Sequence, residues 1–256
     1  MARVFGTSRG DLISPTEHSR GVSGTPSATD RNAIFGGNGD DTISGGRGHD
    51  EIHAGNGDDI VSGSYLAIGD SDWLFGDNGN DRLFGSSGSD RLFGGNGNDT
   101  LVGGDIEYDN GNDFLSGGNG NDVLDGSKGC DTLFGGRGED TFRFWVGVTG
   151  PTNVSTSAPG EGRRDVILDF EDRKDVIDLS NYQNFLSPFL TPGAPKFLGT
   201  AQFDDSTGLQ VRYDHIGGHT IVQFRSASDP TWNPPIMGEI DLVGFHRLTA
   251  HNFILV

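Results

Sequence analysis

The chain has one cysteine, Cys130, so no internal disulfide can hold it together. Cys130 stands among turn residues and reads as an incidental free thiol. Hydrophobic residues make up only 32% of the 256 positions, which is thin for an ordinary packed core. No run approaches the ~18 apolar residues of a transmembrane helix, so no membrane span is expected. The first residues, Met1 to Gly6, lack the apolar stretch of a cleavable signal peptide. Positive charge is scarce: 18 Lys and Arg face 37 Asp and Glu, for a net charge of −19. That balance argues against nucleic acid and anionic membranes as partners. The natural partner of such a chain is a cation.

Glycine is what the chain has in excess, at 43 residues. Glycine loses more backbone entropy on folding than any other residue, and like charges repel. A chain of this composition is expected to be largely disordered without help. Its order lies in a nine-residue phrase, first complete at Gly36 to Ser44 and repeated to Arg143. Eleven frames begin at Gly36, Gly45, Ala54, Ala67, Gly76, Gly85, Gly94, Tyr108, Gly117, Gly126 and Gly135. In all eleven, Asp stands sixth and Ile, Val, Leu or Phe stands eighth; Gly stands fourth in ten, with Asp70 the exception. Two insertions, read as Gly63 to Leu66 and Gly103 to Glu107, interrupt the phrase as bulged turns. Residues 1–35 read as degenerate repeats and a loop. Asp11 and Ile13 keep the pattern there, while Asn32 replaces the sixth Asp before Ile34.

A nine-residue period is too short for a helical repeat, and glycines would destabilise helices. Each frame instead reads as a glycine turn followed by a short strand. Alternate strand residues face opposite ways, so the eighth residue points inward. Two frames make one coil of eighteen residues, which gives two parallel sheets with turns along both sides. The eighth positions from Ile43 to Phe142 form a narrow core. Outward aromatics, Phe75, Phe84, Phe93 and Phe134, are expected to pack on the C-terminal region or on a partner.

The turns have the makings of a metal site. Glycine admits positive φ, so successive carbonyls can turn toward one point. The sixth-position carboxylates, Asp41, Asp50, Asp59, Asp72, Asp81, Asp90, Asp99, Asp113, Asp122, Asp131 and Asp140, add hard anionic oxygens. Asp40 and Asp58, fifth in their frames, are candidates for a further ligand. The associated turn glycines are Gly37, Gly39, Gly46, Gly48, Gly55, Gly57, Gly79, Gly88, Gly95, Gly97, Gly111, Gly118, Gly120, Gly129, Gly136 and Gly138. Calcium accepts six to eight oxygens, backbone carbonyls included, in a tolerant geometry. One turn supplies too few, so the ion is expected between same-side turns one coil apart. Asp81 and Asp99 then flank one row, Asp72 and Asp90 the other. About eight ions are expected from the frame count, and +16 against −19 leaves about −3. Asn, Asp and Gly are also simply good turn residues, but turn propensity does not demand an Asp in every frame.

After Arg143 the composition changes, and residues 144–256 read as a C-terminal β region. Strands are expected at 165–170 and 175–179, then at 196–203, 209–216, 220–225 and 239–245. Gly217-Gly218 suits a hairpin turn between two of these. The fold class expected is all-β: a parallel β-roll capped by a C-terminal β-sandwich-like region.

These features resemble RTX proteins. Asp140-Thr141-Phe142-Arg143-Phe144, Asp165 to Phe170, Asp175 to Ser180, Phe197 to Ala201, His219 to Gln223 and Glu239 to Gly244 narrow the likeness. They look like the C-terminal domain of serralysin-type metalloproteases, and mannuronan epimerase R-modules are similar too. The resemblance implies a calcium-loaded β-roll, export without a cleaved signal peptide, and a C-terminal signal read by a type I secretion apparatus. The apolar terminus, Phe253 to Val256, fits that signal and equally a last buried strand. In the resembling proteins an Asp-rich loop precedes the strand at Glu239. Here residues 226–235 hold one acid and three prolines, so no calcium is expected there.

No enzyme is expected. His49 and His53 lie four apart, but not in an H-E-x-x-H motif and not on a helix. No phosphate-binding loop of the G-x-x-x-x-G-K-[ST] kind is present, and no elbow is expected at Gly6-Thr7-Ser8-Arg9-Gly10, which falls in a degenerate repeat and precedes no helix. Three readings remain: a non-catalytic calcium module that folds outside the cell, an adhesive matrix protein holding polysaccharide, or a secreted hydrolase. In the first, the partner can also be the catalytic domain of a larger enzyme.

Overall fold

The computed structural model describes residues 2–14, 19, 22–27, 31–63, 69–104, 111–144, 164–180, 196–203, 209–226 and 238–255. The strands β1 (Ala2–Phe5), β2 (Leu12–Ile13), β3 (Asn32–Asn38), β4 (Thr42–Ser44), β5 (Glu51–Asn56), β6 (Ile60–Ser62) and β7 (Trp73–Asn78) begin the chain. They continue as β8 (Arg82–Ser86), β9 (Arg91–Asn96), β10 (Thr100–Gly104), β11 (Phe114–Asn119), β12 (Val123–Asp125), β13 (Thr132–Arg137) and β14 (Thr141–Arg143). Odd strands build one parallel sheet and even strands the other. This is the β-roll that the period of nine implies, because consecutive frames alternate between sheets.

Register follows the repeat. In the odd sheet Leu74, Leu92, Leu115 and Leu133 stand abreast; in the even sheet Leu83, Leu101, Leu124 and Phe142 do. Every eighth residue from Ile43 to Phe142 is at most 1% exposed, so the core is one ladder per sheet with nothing beside it. The odd strands are longer, because the first three residues of the next frame stay paired, as Gly55 with Gly37 and Asn56 with Asn38.

The insertions lengthen a coil without moving its register. Glu51 still pairs with Trp73 and Arg91 with Phe114. Gly63 and Gly103 are not part of the inserted segments. Each lies against the sixth Asp of the frame that follows, Asp72 and Asp113, where a first-position glycine lies in other frames. The first insertion therefore enters after Gly63, and the second after Gly104, which still pairs with Ser86. Positions 64–68 and 105–110 lie outside the described residues.

Both sheets run on past Arg143. Strand β15 (Asp165–Ile167) pairs parallel with β13, and β16 (Val176–Asp178) with β14. The region then adds β17 (Lys196–Phe197), β18 (Leu209–Ile216), β19 (His219–Ser226), β20 (Gly238–Val243) and β21 (Phe253–Ile254). Strand β20 lies parallel beside β15, β19 and β18 follow antiparallel, and β21 closes the other sheet beside β16. Gly217 and Gly218 make the hairpin turn with φ of 62° and 94°. A buried pair, Arg164 Nε donating to Glu239 Oε2 at 2.7 Å, ties the cap to the last coil. Most of the irregular stretch after Phe144 and the proline-bearing loop, 227–235, fall outside the described residues.

Of the outward aromatics, Phe75 and Phe93 stack on their neighbours, whereas Phe84 and Phe134 lie outside the pile they form. Phe5, Phe35, His53, Phe75 and Phe93 form a near-parallel pile on the outer face of the odd sheet, with centroids 4.4–5.4 Å apart. Strand spacing of about 4.8 Å sets that pile. Next to it, Arg91 lies 5.2 Å from the centre of the Trp73 ring.

Second positions of the frames take positive φ, and three are not glycine: Asp77 (71°), Ser86 (88°) and Ser127 (66°). An L-residue there is strained by about 1–2 kcal/mol, set against the ~0.5–1 kcal/mol of extra entropy a glycine loses. Ser86→Gly should therefore raise stability by up to about 1 kcal/mol at saturating calcium. Thermal unfolding tests this, and a lower midpoint would refute the strain argument.

Candidate metal centre

Each sixth-position Asp is held twice by the coil. Its backbone N–H donates to the Oδ1 of the Asp one coil on: Asp41 to Asp59 at 2.6 Å, Asp59 to Asp81 at 2.8 Å, Asp81 to Asp99 at 2.8 Å. The other side of the roll repeats this, with Asp50 to Asp72 at 2.7 Å and Asp72 to Asp90 at 2.7 Å. The carboxylates thus form two rows, and Asp81 and Asp99 share one while Asp72 and Asp90 share the other. Asp113 and Asp131 continue the second row, Asp122 and Asp140 the first.

Oδ1 is spoken for; Oδ2 is different. The Oδ2 atoms of Asp41, Asp50, Asp59, Asp72, Asp81, Asp99 and Asp122 are buried with no hydrogen-bond partner. They also face other acceptors. A β-carbon placed on Gly36 would overlap both Asp41 Oδ2 and the carbonyl oxygen of Ala54 in the next coil. The same pairing recurs at Gly45, Gly63, Gly76 and Gly94 with the Oδ2 of Asp50, Asp72, Asp81 and Asp99. Each partner oxygen is the carbonyl of the first residue one coil on. Two oxygens facing each other out of water cost free energy unless something positive lies between them. A hard divalent cation with a taste for mixed carboxylate and carbonyl oxygens fits.

Space is therefore tight at the first-position glycines, although Ala54 fills that position in the frame of Asp59, fully buried. The second and fourth glycines do their expected work through backbone shape. Gly37, Gly39, Gly46, Gly48, Gly55, Gly57, Gly79, Gly88, Gly95, Gly97, Gly118, Gly120, Gly129, Gly136 and Gly138 all have φ between 98° and 148°. Gly111 has no positive φ recorded and lies at the end of the second insertion. Asp40 and Asp58 lie in exposed positions in the fifth-residue ladder, away from the buried Oδ2 atoms. Asp40 Oδ1 accepts the Asp58 N–H at 3.0 Å, and Asp58 Oδ1 accepts the Asn80 N–H at 2.7 Å. Asn80 and Asn98 do the same in later coils, so an acid is not essential for that contact.

Two carboxylates beyond Arg143 belong to the rows. Asp131 N–H donates to Asp165 Oδ1 at 2.8 Å, and Asp140 N–H to Asp175 Oδ1 at 3.0 Å. Their signal was in the sequence: Asp165-Val166-Ile167 and Asp175-Val176-Ile177 keep the sixth-to-eighth spacing without the glycines. His49 lies in a turn, its Nδ1 accepting the Ser71 N–H at 2.9 Å, while His53 sits in the aromatic pile. Among the described residues no three His, Cys, Asp or Glu side chains gather as a metal site. That accords with ligation shared between single carboxylates and backbone carbonyls.

Burial dominates the titration of these groups. Desolvation raises Asp72 from 3.8 to about 8, Asp81 and Asp122 to about 7, and Asp41, Asp50 and Asp99 to about 6. Hydrogen bonds from the preceding coil oppose this, and neighbouring carboxylates in the row add to it for most of them. The metal-free roll therefore holds protons that the unfolded chain releases between pH ~4 and ~8, so its stability falls as pH rises through that window. Calcium must displace those protons, so its affinity rises with pH across the same window.

Residues 31–64, 68–105 and 108–142 match the family described as the RTX calcium-binding nonapeptide repeat. Among solved structures the chain is similar to the AlgE6R3 subunit of the Azotobacter vinelandii mannuronan C5-epimerase. That match has 26% identity and a TM-score of 0.29, covering 75% of this chain and 81% of the other. It is also similar to the extracellular lipase LipA of Serratia marcescens, at 14% identity and a TM-score of 0.33. There 98% of this chain is covered but only 40% of the lipase. No curated protein matches the chain.

Two outcomes are expected. Without calcium, the residual β-structure seen by circular dichroism should be greater at pH 5 than at pH 8, whereas in excess calcium the melting temperature should be higher at pH 8. The same trend in both buffers would contradict the assignment. Gly94→Ala should cost about 1–3 kcal/mol in calcium, by overpacking against Asp99 and Gly117. A denaturant titration that moves by less than the error would remove the spatial requirement.

Proposed function

From a repeat region that is an array of RTX calcium-binding nonapeptide repeats, we propose that this chain is a non-catalytic module that folds on meeting calcium outside the cell. The observation that carries this is the set of buried Oδ2 atoms facing backbone carbonyls along both sides of the roll. The sixth-position aspartates hold the ions, the first-position carbonyls of the next coil add further oxygens, and about eight ions fill the two rows.

The mechanism is a compartment switch. Where calcium is scarce, acceptor faces acceptor, the coils repel, and the chain stays expanded enough to thread an exporter. Where calcium is plentiful, each bound ion adds ~2.7 kcal/mol at a hundredfold excess over Kd, and the terms sum over the rows. The C-terminal strands close the roll and carry the type I secretion signal. The two sheets need such closure because an open strand edge invites pairing with other chains.

The adhesive reading draws little from the outer aromatics. Rings in the pile cover each other's faces and offer only edges to a sugar, whereas stacking on a ring needs a free face. In both readings the chain can serve as the tail of a larger secreted enzyme.

Circular dichroism and hydrodynamic radius with and without calcium test the switch. An expanded, β-poor chain in chelator and a compact, β-rich one in calcium are expected; equal compactness in both would sink it. Asp81→Ala should bind about one ion fewer in a calcium titration, and an unchanged stoichiometry would remove Asp81 from the ligand set.

A further inference from the structure

Asn32 occupies a sixth position, and it is the place where the acceptor-against-acceptor pattern is broken. Its side chain is fully buried. Its backbone N–H donates to Asp50 Oδ1 at 2.6 Å, as the interior aspartates donate along their row. Its Nδ2, however, donates to the carbonyl oxygen of Gly45 at 3.0 Å, to Asp50 Oδ1 at 2.9 Å and to Ser27 O at 3.1 Å. Gly45 is the first residue of the next frame on that side, so its carbonyl is the one that elsewhere faces an Asp Oδ2. One coil later on the same side, Asp50 Oδ2 faces the carbonyl of Gly63 with no donor between them. At Asn32 a neutral N–H meets the carbonyl directly. The remaining amide oxygen is used as well, accepting the Ser27 N–H at 2.7 Å.

The other row ends in a comparable way. Asp11 Oδ2 accepts the Thr7 N–H at 2.6 Å, and Asp175 Oδ2 accepts the Glu171 N–H at 2.7 Å. Thr7 and Glu171 hold the second position of their turns. At these ends a protein donor supplies the positive partner that the interior coils lack.

We infer that Asn32 terminates the calcium row on its side: its amide takes the place of an ion, and the junction between the coils of Asn32 and Asp50 binds no calcium. This rests on the calcium reading above. It adds that at this junction the residue in the sixth position, Asn or Asp, decides whether the junction is metal-filled or closed by hydrogen bonds. An amide can do this because its NH₂ presents donors where a carboxylate presents only acceptors.

The test is calcium stoichiometry of the full chain at saturation, by equilibrium dialysis with radioactive calcium. Asn32→Asp restores two facing oxygens and should bind one ion more than the parent. Asn32→Ala removes the amide without adding an oxygen and should bind the same number as the parent. A folded Asn32→Asp with an unchanged count overturns the inference. So does the loss of one ion in Asn32→Ala, because that would make the amide oxygen a ligand. Where Asn32→Asp does not fold, the alanine variant decides alone. A parent that binds no calcium at all would instead remove the calcium reading, so the two failures are distinct.

Discussion

The roll is governed by oxygen facing oxygen across each turn. Along both sides, a buried carboxylate Oδ2 meets the carbonyl of the next coil, with only a glycine α-carbon beside them. Without a cation that arrangement is repulsive and dehydrated; a cation between the oxygens would offset both penalties. The glycines follow from it. The first has little room for a side chain because the two oxygens crowd that space, Ala54 being the largest residue found there, and the second and fourth turn the backbone through positive φ so that carbonyls point inward.

The apolar part of the structure is too narrow to carry the fold alone. Each coil contributes one eighth-position side chain per sheet, fully buried but in single file. A core of this kind fixes register and not much more, since burial scales with apolar area and the area per coil is small. The outer face adds the aromatic pile, where rings at the ninth positions cover one another at strand spacing. The same periodicity that aligns the aspartates aligns the rings, so metal, core and outer pile all reinforce one register.

The ends and interruptions of the array show how tolerant that register is. Two insertions leave after the opening residues of a frame and return before its Asp, so the paired strands hardly register them. At the C-terminal end the repeat loses its glycines but keeps Asp165 with Ile167 and Asp175 with Ile177, which is enough for one more coil. There the Asp175 carboxylate turns to a backbone N–H instead of an ion, and antiparallel strands take over the sheet edge.

The sequence by itself determined the alternating sheets, the inward ladder, the two rows of sixth-position aspartates and the chemistry of their partner. All of these are strictly periodic, and a period passes directly into geometry. The hairpin at Gly217-Gly218 was equally legible, because its turn is local. Only the tertiary structure decided which oxygen of each Asp is already used, why the first position is kept small, and that Gly63 and Gly103 belong to the frames after them. It also showed that Phe75 and Phe93 pack on their own neighbours, and that the Asn32 amide answers a carbonyl thirteen residues away. Each of these depends on contacts between coils. Residues from different turns meet there only after the chain has wound, and no local pattern records which atom faces which.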